Sequence, residues 1–269
     1  MHTWTLRRGG VLLTVDEYGP ADAPAALVLH GVGSSADFAA RAFGPALGGD
    51  GYRVIVPDLR GHGRSTALAD PAAHAVGEQL ADVAALAALV GARVLAGVSL
   101  GAHLALAHAA AECAAAPAAV DLVLAALPGW LGPADEVASA NAVWAEEIAR
   151  VGVAASLARI AGDPAVPEWV ARELATAWPR HDPASLAAAL RAAATAEAPD
   201  AAALTCVACP VGVVGAGDDA AHPLAAATAY VAVLPRAALV TVPLAVLAGG
   251  AGRLGELALA AAGSVSAPR

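Results

Sequence analysis

The segment Gly97-Val98-Ser99-Leu100-Gly101 constrains the fold of this chain more than any other feature of its sequence. It follows a short apolar run, Arg93–Ala96, that predicts a buried strand, and it opens a predicted helix over Ser99–Ala111. A serine flanked by glycines at such a junction is typical of a strained turn, where strand and helix pass too close for a Cβ atom. The helix N-terminus also directs free backbone N–H groups towards negative charge formed at the serine. The segment therefore predicts an α/β fold that presents Ser99 as a nucleophile.

Short apolar runs alternate with segments of helical periodicity along most of the chain. The predicted strands are Thr3–Arg8, Val11–Glu17, Ala25–Leu29, Tyr52–Val56, Arg93–Ala96, Val120–Ala126, Val211–Val214 and Ala238–Val242. Gly9-Gly10 joins the first two as an antiparallel hairpin, which we expect at one edge of the sheet. Because helices separate the other strands, the pattern predicts a mostly parallel eight-stranded sheet with helices on both faces.

The alternation stops between about Leu127 and Leu204. Four helical stretches punctuated by prolines occupy this region: Ala134–Val151, Ala154–Ala161, Pro167–Ala177 and Pro183–Ala194. The strand pattern then resumes. We therefore predict one domain over residues 1–269, with residues 128–204 inserted as a helical lid.

Composition excludes several function classes. The chain has no lysine, so Schiff-base catalysis, a pyridoxal-phosphate site and a P-loop lysine are excluded. A net charge of −9 argues against a nucleic-acid partner, because phosphate binding needs a basic face. We find no apolar run of about 18 residues with membrane flanks and no signal-peptide core, so we expect no membrane partner and a cytoplasmic location.

The cysteines predict neither a metal site nor a redox site. Cys206 and Cys209 form a single C-x-x-C that precedes a strand, and the chain has no second pair. We interpret both as packing residues. No metal and no cofactor are expected.

Three motifs in order carry a family resemblance. His30-Gly31-Val32-Gly33-Ser34-Ser35 follows the third strand, Pro57-Asp58-Leu59-Arg60-Gly61-His62-Gly63-Arg64-Ser65 follows the fourth, and the Ser99 segment follows the fifth. With these motifs the chain resembles the α/β-hydrolase superfamily over almost its full length. The resemblance implies an oxyanion hole made by the backbone N–H groups of Val32 and Leu100. It also implies that Asp58, Arg60 and His62 brace the turn beside the site.

The sequence offers candidates for the acid that the resemblance implies, but no histidine where the resemblance places the base. The acid follows the strand after the insertion, where Asp218 and Asp219 are adjacent, and register against the family pattern favours Asp219. The base should follow the last strand, but Leu247 stands there, and residues 223–269 contain no histidine. The family's catalytic triad is therefore incomplete in its usual positions.

His222 is our candidate for a substitute base, because it lies three residues after Asp219 in a loop near the site. His103, one turn along the helix from Ser99, is expected to point into packing, and His181 could reach the site from the insertion. Two alternatives need no serine base: a non-hydrolytic enzyme such as a cyclase, eliminase, isomerase or acyl transferase of secondary metabolism, or an inactive ligand-binding protein.

Aromatic residues predict the kind of ligand. The chain is poor in aromatics, yet four of its five tryptophans lie in or beside the insertion. The residues expected to contact the substrate are Gly31, Phe38, Trp130, Trp144 and Trp178. Each tryptophan could equally anchor a helix to the body. We predict an enzyme acting on a hydrophobic small-molecule ester or carbonyl compound; its oligomeric state is open, with a homodimer as one alternative.

Overall fold

The computed structural model describes residues 1–116, 118–129 and 135–266, and within these residues eight strands form one sheet. The strands are β1 (His2–Arg8), β2 (Val11–Tyr18), β3 (Ala25–Leu29), β4 (Arg53–Pro57), β5 (Val94–Val98), β6 (Leu122–Ala126), β7 (Val211–Ala216) and β8 (Ala237–Val242). Their order is β1-β2-β4-β3-β5-β6-β7-β8. Only the β1–β2 and β2–β4 pairs are antiparallel. The predicted mostly parallel sheet, with its hairpin at one edge, is confirmed.

Helices cover both faces of this sheet. They are α1 (Ala36–Gly49), α2 (Val76–Val90), α3 (Leu100–Ala115), α4 (Asp135–Val151), α5 (Val153–Gly162), α6 (Glu168–Ala177), α7 (Pro183–Ala194), α8 (Ala201–Leu204), α9 (Leu224–Val233), α10 (Leu244–Leu247) and α11 (Gly252–Ser266). One apolar cluster joins the sheet to α2, α3 and α9, and a second joins it to α1 and α11.

Strand β3 shows why the central strands have no polar face. All five of its residues are buried, with Leu27 and Leu29 in the first cluster and Ala26 and Val28 in the second. Side chains alternate between the faces of a strand, so a strand covered on both faces must be apolar at every position.

Helices α4–α8 lie between β6 and β7 in the chain. A third apolar cluster holds four of them together and contacts the side chain of Val32. Ion pairs also link this region to α1, from Arg41 to Glu173 at 2.6 Å and from Arg180 to Asp37. We call residues 128–204 the helical insertion below.

No helix within the described ranges is long and apolar enough to cross a lipid bilayer.

Candidate active site

Ser99 occupies a strained turn between β5 and α3. Its φ is 54°, a left-handed conformation that costs a residue with a side chain about 1–3 kcal/mol. A Cβ atom built on Gly101 would lie 2.1 Å from the carbonyl oxygen of Leu29, and one on Gly97 would lie 2.2 Å from the backbone of Gly101. Both positions therefore require glycine, and the turn presents the Ser99 side chain at the end of the strand.

His222 and Asp219 form a hydrogen-bonded chain with Ser99. Nε2 of His222 lies 3.0 Å from Oγ of Ser99, and Nδ1 of His222 lies 2.8 Å from Oδ2 of Asp219. The geometry requires Nδ1 to carry the ring proton and donate it to the carboxylate, which leaves Nε2 as the acceptor for the serine hydroxyl. The structure thus brings together the three side chains that the sequence nominated, with acid and base in one short loop.

Asp219 also shapes the loop that carries the imidazole. Its Oδ1 accepts hydrogen bonds from the backbone N–H groups of Ala221 and His222, at 2.9 and 3.1 Å. Burial favours the neutral acid, but these bonds together with His222 outweigh burial and lower the pKa of Asp219. The carboxylate is therefore charged at neutral pH.

Asp218 binds a backbone group of another segment instead of His222. Its Oδ1 accepts the backbone N–H of Leu244 at 2.8 Å and so holds the segment that follows β8. That segment is α10, which ends at Leu247, a side chain only 2% exposed in the second apolar cluster. The position where the resemblance places a base is thus part of the core.

The loop after β3 lies directly against Ser99. A Cβ atom built on Gly31 would be 3.1 Å from Cβ of Ser99, so this residue must be small. The ring of His30 is fully buried; its Nδ1 lies 2.7 Å from the carbonyl oxygen of Gly31, while its Nε2 accepts the N–H of Leu59. His30 therefore fixes the Gly31–Val32 peptide, whose N–H is the predicted oxyanion donor. Leu100 begins α3, so its N–H has no acceptor within the helix.

The second motif braces this loop, in agreement with its predicted role. Asp58 accepts the N–H of Ala36 at 3.0 Å, and Arg60 forms an ion pair with Asp82 at 2.6 Å. His62 accepts the N–H of Gly33 at Nε2, 3.0 Å away, and its Nδ1 faces the carbonyl oxygen of Arg60 at 2.9 Å.

His181 of the helical insertion faces the same loops. Its Nδ1 accepts the N–H of Gly63 at 2.7 Å, and its Nε2 lies 3.2 Å from the carbonyl oxygen of Gly33. Burial lowers the pKa values of His62 and His181, so both rings are neutral at neutral pH. Both ring nitrogens of His181 are thus engaged by backbone groups.

His103 packs as expected. Its Nε2 accepts the N–H of Gly129 at 3.1 Å, and its Nδ1 lies 3.2 Å from the hydroxyl of Tyr230. Burial lowers the pKa of His103 to about 3.

Buried neutral histidines make acid stability a test of this arrangement. Burial lowers the pKa of His30 to about 4, whereas an unfolded histidine titrates near about 6.5. Below about pH 6.5 the unfolded state binds protons that the folded state cannot, so each such histidine costs about 1.4 kcal/mol of stability per pH unit. We expect His30 and His103 alone to lower the free energy of unfolding by roughly 4 kcal/mol between about pH 7.5 and about pH 5. His62 and His181, whose pKa values burial also lowers, should add to this loss.

Urea unfolding at the two pH values measures this difference. Histidines of the unfolded chain are almost fully neutral above about pH 7.5, which makes the interval from about pH 7.5 to about pH 8.5 the control. Equal free energies of unfolding at about pH 7.5 and about pH 5 would contradict the buried neutral rings.

The described aromatic residues predicted to contact the substrate lie in different apolar clusters. Phe38 is buried in the second apolar cluster beneath the guanidinium of Arg41. Trp144 and Trp178 pack edge to face in the insertion cluster, and Trp178 is only 3% exposed. Trp130 lies outside the described residues. Packing accounts for the position of Trp178; contact of these side chains with substrate stays a prediction.

The two cysteines of the C-x-x-C motif are free thiols. Cys209 is buried, and burial raises the pKa of its thiol to about 12. Cys206 is exposed, so its interpretation as a packing residue is wrong. Within the described part of the chain, no group of three His, Cys, Asp or Glu side chains is placed to hold a metal ion.

Sequence reasoning missed the contacts that Ser185 of the insertion makes with the segment after β4. Ser185 accepts the N–H of Leu68 at 2.9 Å and donates to the carbonyl oxygen of Gly61 at 2.7 Å. Asp182-Pro183 is a recognisable helix start, and Asp182 does cap α7. That signal locates the helix but carries no information about what its first turn contacts.

Comparison with known proteins identifies the family of this chain. A family model for the alpha/beta hydrolase family matches residues 26–252. The magnesium-chelatase 30 kDa subunit of Rhodobacter capsulatus is 51% identical over 63 residues, a match that spans 23% of this chain and only 22% of that subunit.

Solved structures are similar over most of the chain. A carboxylesterase structure from the thaumarchaeon Nitrososphaera gargenis has a TM-score of 0.74 at 17% identity, covering 90% of this chain and 89% of that one. The enol-lactonase from Burkholderia xenovorans LB400 has a TM-score of 0.70 at 21% identity, covering 88% and 90%. At these identities the likeness concerns the fold. From the family match and the shared fold together, the chain belongs to the alpha/beta hydrolase family.

Proposed function

We propose that this protein is a serine hydrolase that cleaves esters of hydrophobic small molecules. The observation that carries the proposal is the chain of contacts from Asp219 through His222 to Ser99, at 2.8 and 3.0 Å. A serine hydroxyl is a weak nucleophile at neutral pH until a neighbour accepts its proton, and Nε2 of His222 is within reach of that proton.

The first half of the reaction forms an acyl-enzyme. Oγ of Ser99 bonds to the carbonyl carbon of the ester while its proton passes to Nε2 of His222. The negative charge on the carbonyl oxygen is stabilised by the backbone N–H groups of Val32 and Leu100. The C–O bond to the leaving alcohol then breaks, and the alcohol takes the proton from His222.

The second half repeats these steps with water. Nε2 of His222 accepts a proton from the attacking water, whose oxygen bonds to the acyl carbon. The bond to Oγ of Ser99 then breaks, and Ser99 recovers its proton as the carboxylic acid leaves. Asp219 stays ionised throughout, because it holds the imidazole in one tautomer and stabilises the imidazolium.

An apolar environment around the oxyanion loop supports a hydrophobic substrate. Val32 packs against the insertion cluster, which contains Trp144 and Trp178. Gly31 and Phe38 belong to the same proposed pocket. The carboxylesterase and the enol-lactonase of similar fold support an ester or a lactone as the reacting group, by analogy of fold alone.

The alternatives follow from Leu247, which stands where the family's base is expected. If His222 does not act as a base, the same pocket would serve a non-hydrolytic enzyme or a ligand-binding protein.

Covalent labelling tests the proposal. A fluorophosphonate probe should add one probe mass to the wild-type protein, located at Ser99 by peptide mass spectrometry, and the wild type should hydrolyse p-nitrophenyl acetate. Ser99→Ala should lose both the label and the hydrolysis while keeping its circular dichroism spectrum. Wild-type protein that neither labels nor hydrolyses would overturn the proposal, and tight retention of a ligand without turnover would favour the binding protein.

A further inference from the structure

His181 connects the helical insertion to the oxyanion loop across 148 positions of the chain. The ring is 5% exposed and touches two different loops, through Gly63 on one side and Gly33 on the other. Because Nδ1 accepts the N–H of Gly63, Nε2 carries the ring proton and donates it to the carbonyl oxygen of Gly33.

Gly33 is held at both ends of its backbone. Its N–H donates to His62 at 3.0 Å, and its carbonyl oxygen accepts from His181 at 3.2 Å. Its φ of 69° is a conformation that glycine adopts readily because it has no Cβ atom. Because no side chain restrains the backbone there, these hydrogen bonds set the path of the loop. The residue before it is Val32, the proposed oxyanion donor, and small displacements of such a donor are costly.

Two further contacts fix this part of the insertion against the body. A Cβ atom built on Gly33 would lie 2.9 Å from Nε1 of Trp178, so the indole lies directly against the loop. Ser185, fully buried, joins α7 to the segment after Gly61 by two hydrogen bonds. Trp178 and His181 therefore pack against the oxyanion loop, while Ser185 holds the same part of the insertion against the segment from Gly61 to Leu68.

We infer that His181 is a positioning residue for the oxyanion hole, which it holds in place through the carbonyl of Gly33. The inference rests on the proposed hydrolase activity. It gives the helical insertion a part in transition-state stabilisation.

Two substitutions separate the bonds of His181. An asparagine Oδ1 lies where Nδ1 lies and keeps the bond to Gly63, whereas a glutamine Nε2 lies where the imidazole Nε2 lies and keeps the bond to Gly33. We expect His181→Gln to keep kcat for p-nitrophenyl acetate within about threefold, and His181→Asn and His181→Ala to lower it roughly 10- to 100-fold. KM should change less than about twofold in all three, because the loss concerns the transition state.

A second measurement distinguishes a displaced oxyanion hole from a general loss of stability. Affinity for a trifluoromethyl ketone, which forms a charged adduct with a serine, should fall by the same factor as kcat in the asparagine and alanine variants. His108 is a buried histidine on α3. The variant His108→Gln serves as the control and should match the wild type in kcat. Urea unfolding of each variant measures its stability.

The outcomes are distinct. Suppose that the wild type hydrolyses the ester. Equal losses of kcat in the asparagine and glutamine variants, or an unchanged kcat in His181→Ala, would then overturn the role of His181 and leave the hydrolase proposal standing. Wild-type protein without Ser99-dependent hydrolysis would overturn both.

Discussion

Replacing His222 with alanine should lower kcat for ester hydrolysis by about 10⁵- to 10⁶-fold, close to the loss of an entire triad. The variant leaves Oγ of Ser99 without its proton acceptor 3.0 Å away. Oxyanion stabilisation and substrate binding should still leave a residual acceleration of about 10³–10⁴ over the reaction in water. Single-turnover kinetics with p-nitrophenyl acetate would measure this loss.

Free imidazole should restore part of that activity. The side chain of His222 is 21% exposed, so its removal opens a gap that solvent reaches. His2→Ala, which removes an exposed histidine from β1, should keep wild-type kcat and provides the control. Full activity in His222→Ala would mean that another group accepts the serine proton.

Asp219→Asn should lower kcat by about 10⁴-fold with little change in stability. An asparagine Oδ1 can still accept the N–H groups of Ala221 and His222, so the loop keeps its shape. The side-chain amide, however, would point N–H groups at Nδ1 of His222, which favours the tautomer with its proton on Nε2. That tautomer cannot accept a proton from Ser99.

The neighbouring aspartate supplies a matched control. Asp218→Asn keeps an oxygen for the N–H of Leu244, so kcat should stay within about threefold of wild type. The pH dependence of kcat/KM should be measured for both variants. Equal losses from Asp218→Asn and Asp219→Asn would assign the effect to the loop as a whole and contradict the proposed role of Asp219.

Local signals in the sequence were sufficient to predict the sheet and the strained turn at Ser99. The buried strands are continuous apolar runs, and Gly97 and Gly101 mark a turn that no other residue type fits. Ser99 was located by its position after a predicted strand, whereas Asp219 was located by the family resemblance. Both lie at the carboxyl ends of parallel strands, which meet at one edge of the sheet.

Contacts that depend on loop shape were beyond sequence reasoning. The spacing of Asp219 and His222 nominated a pair, but whether the imidazole reaches Ser99 depends on backbone bonds within the loop. The sequence placed Leu247 after the last strand but did not show that α10 buries it in the core. The bond between His181 and Gly33 joins residues far apart in the chain, where local patterns carry no information.

The acid and the base share the loop from Asp219 to His222, and this reduces the number of parts that must be aligned. When acid and base stand on separate loops, the serine, histidine and carboxylate can drift independently. Here the carboxylate and the imidazole belong to one loop and keep their relative positions. Tertiary structure therefore has to maintain only the distance between Nε2 of His222 and Oγ of Ser99. The proposed mechanism takes no side chain from the segment after Val242, so in evolution or design that region can vary in sequence for as long as it keeps the sheet covered.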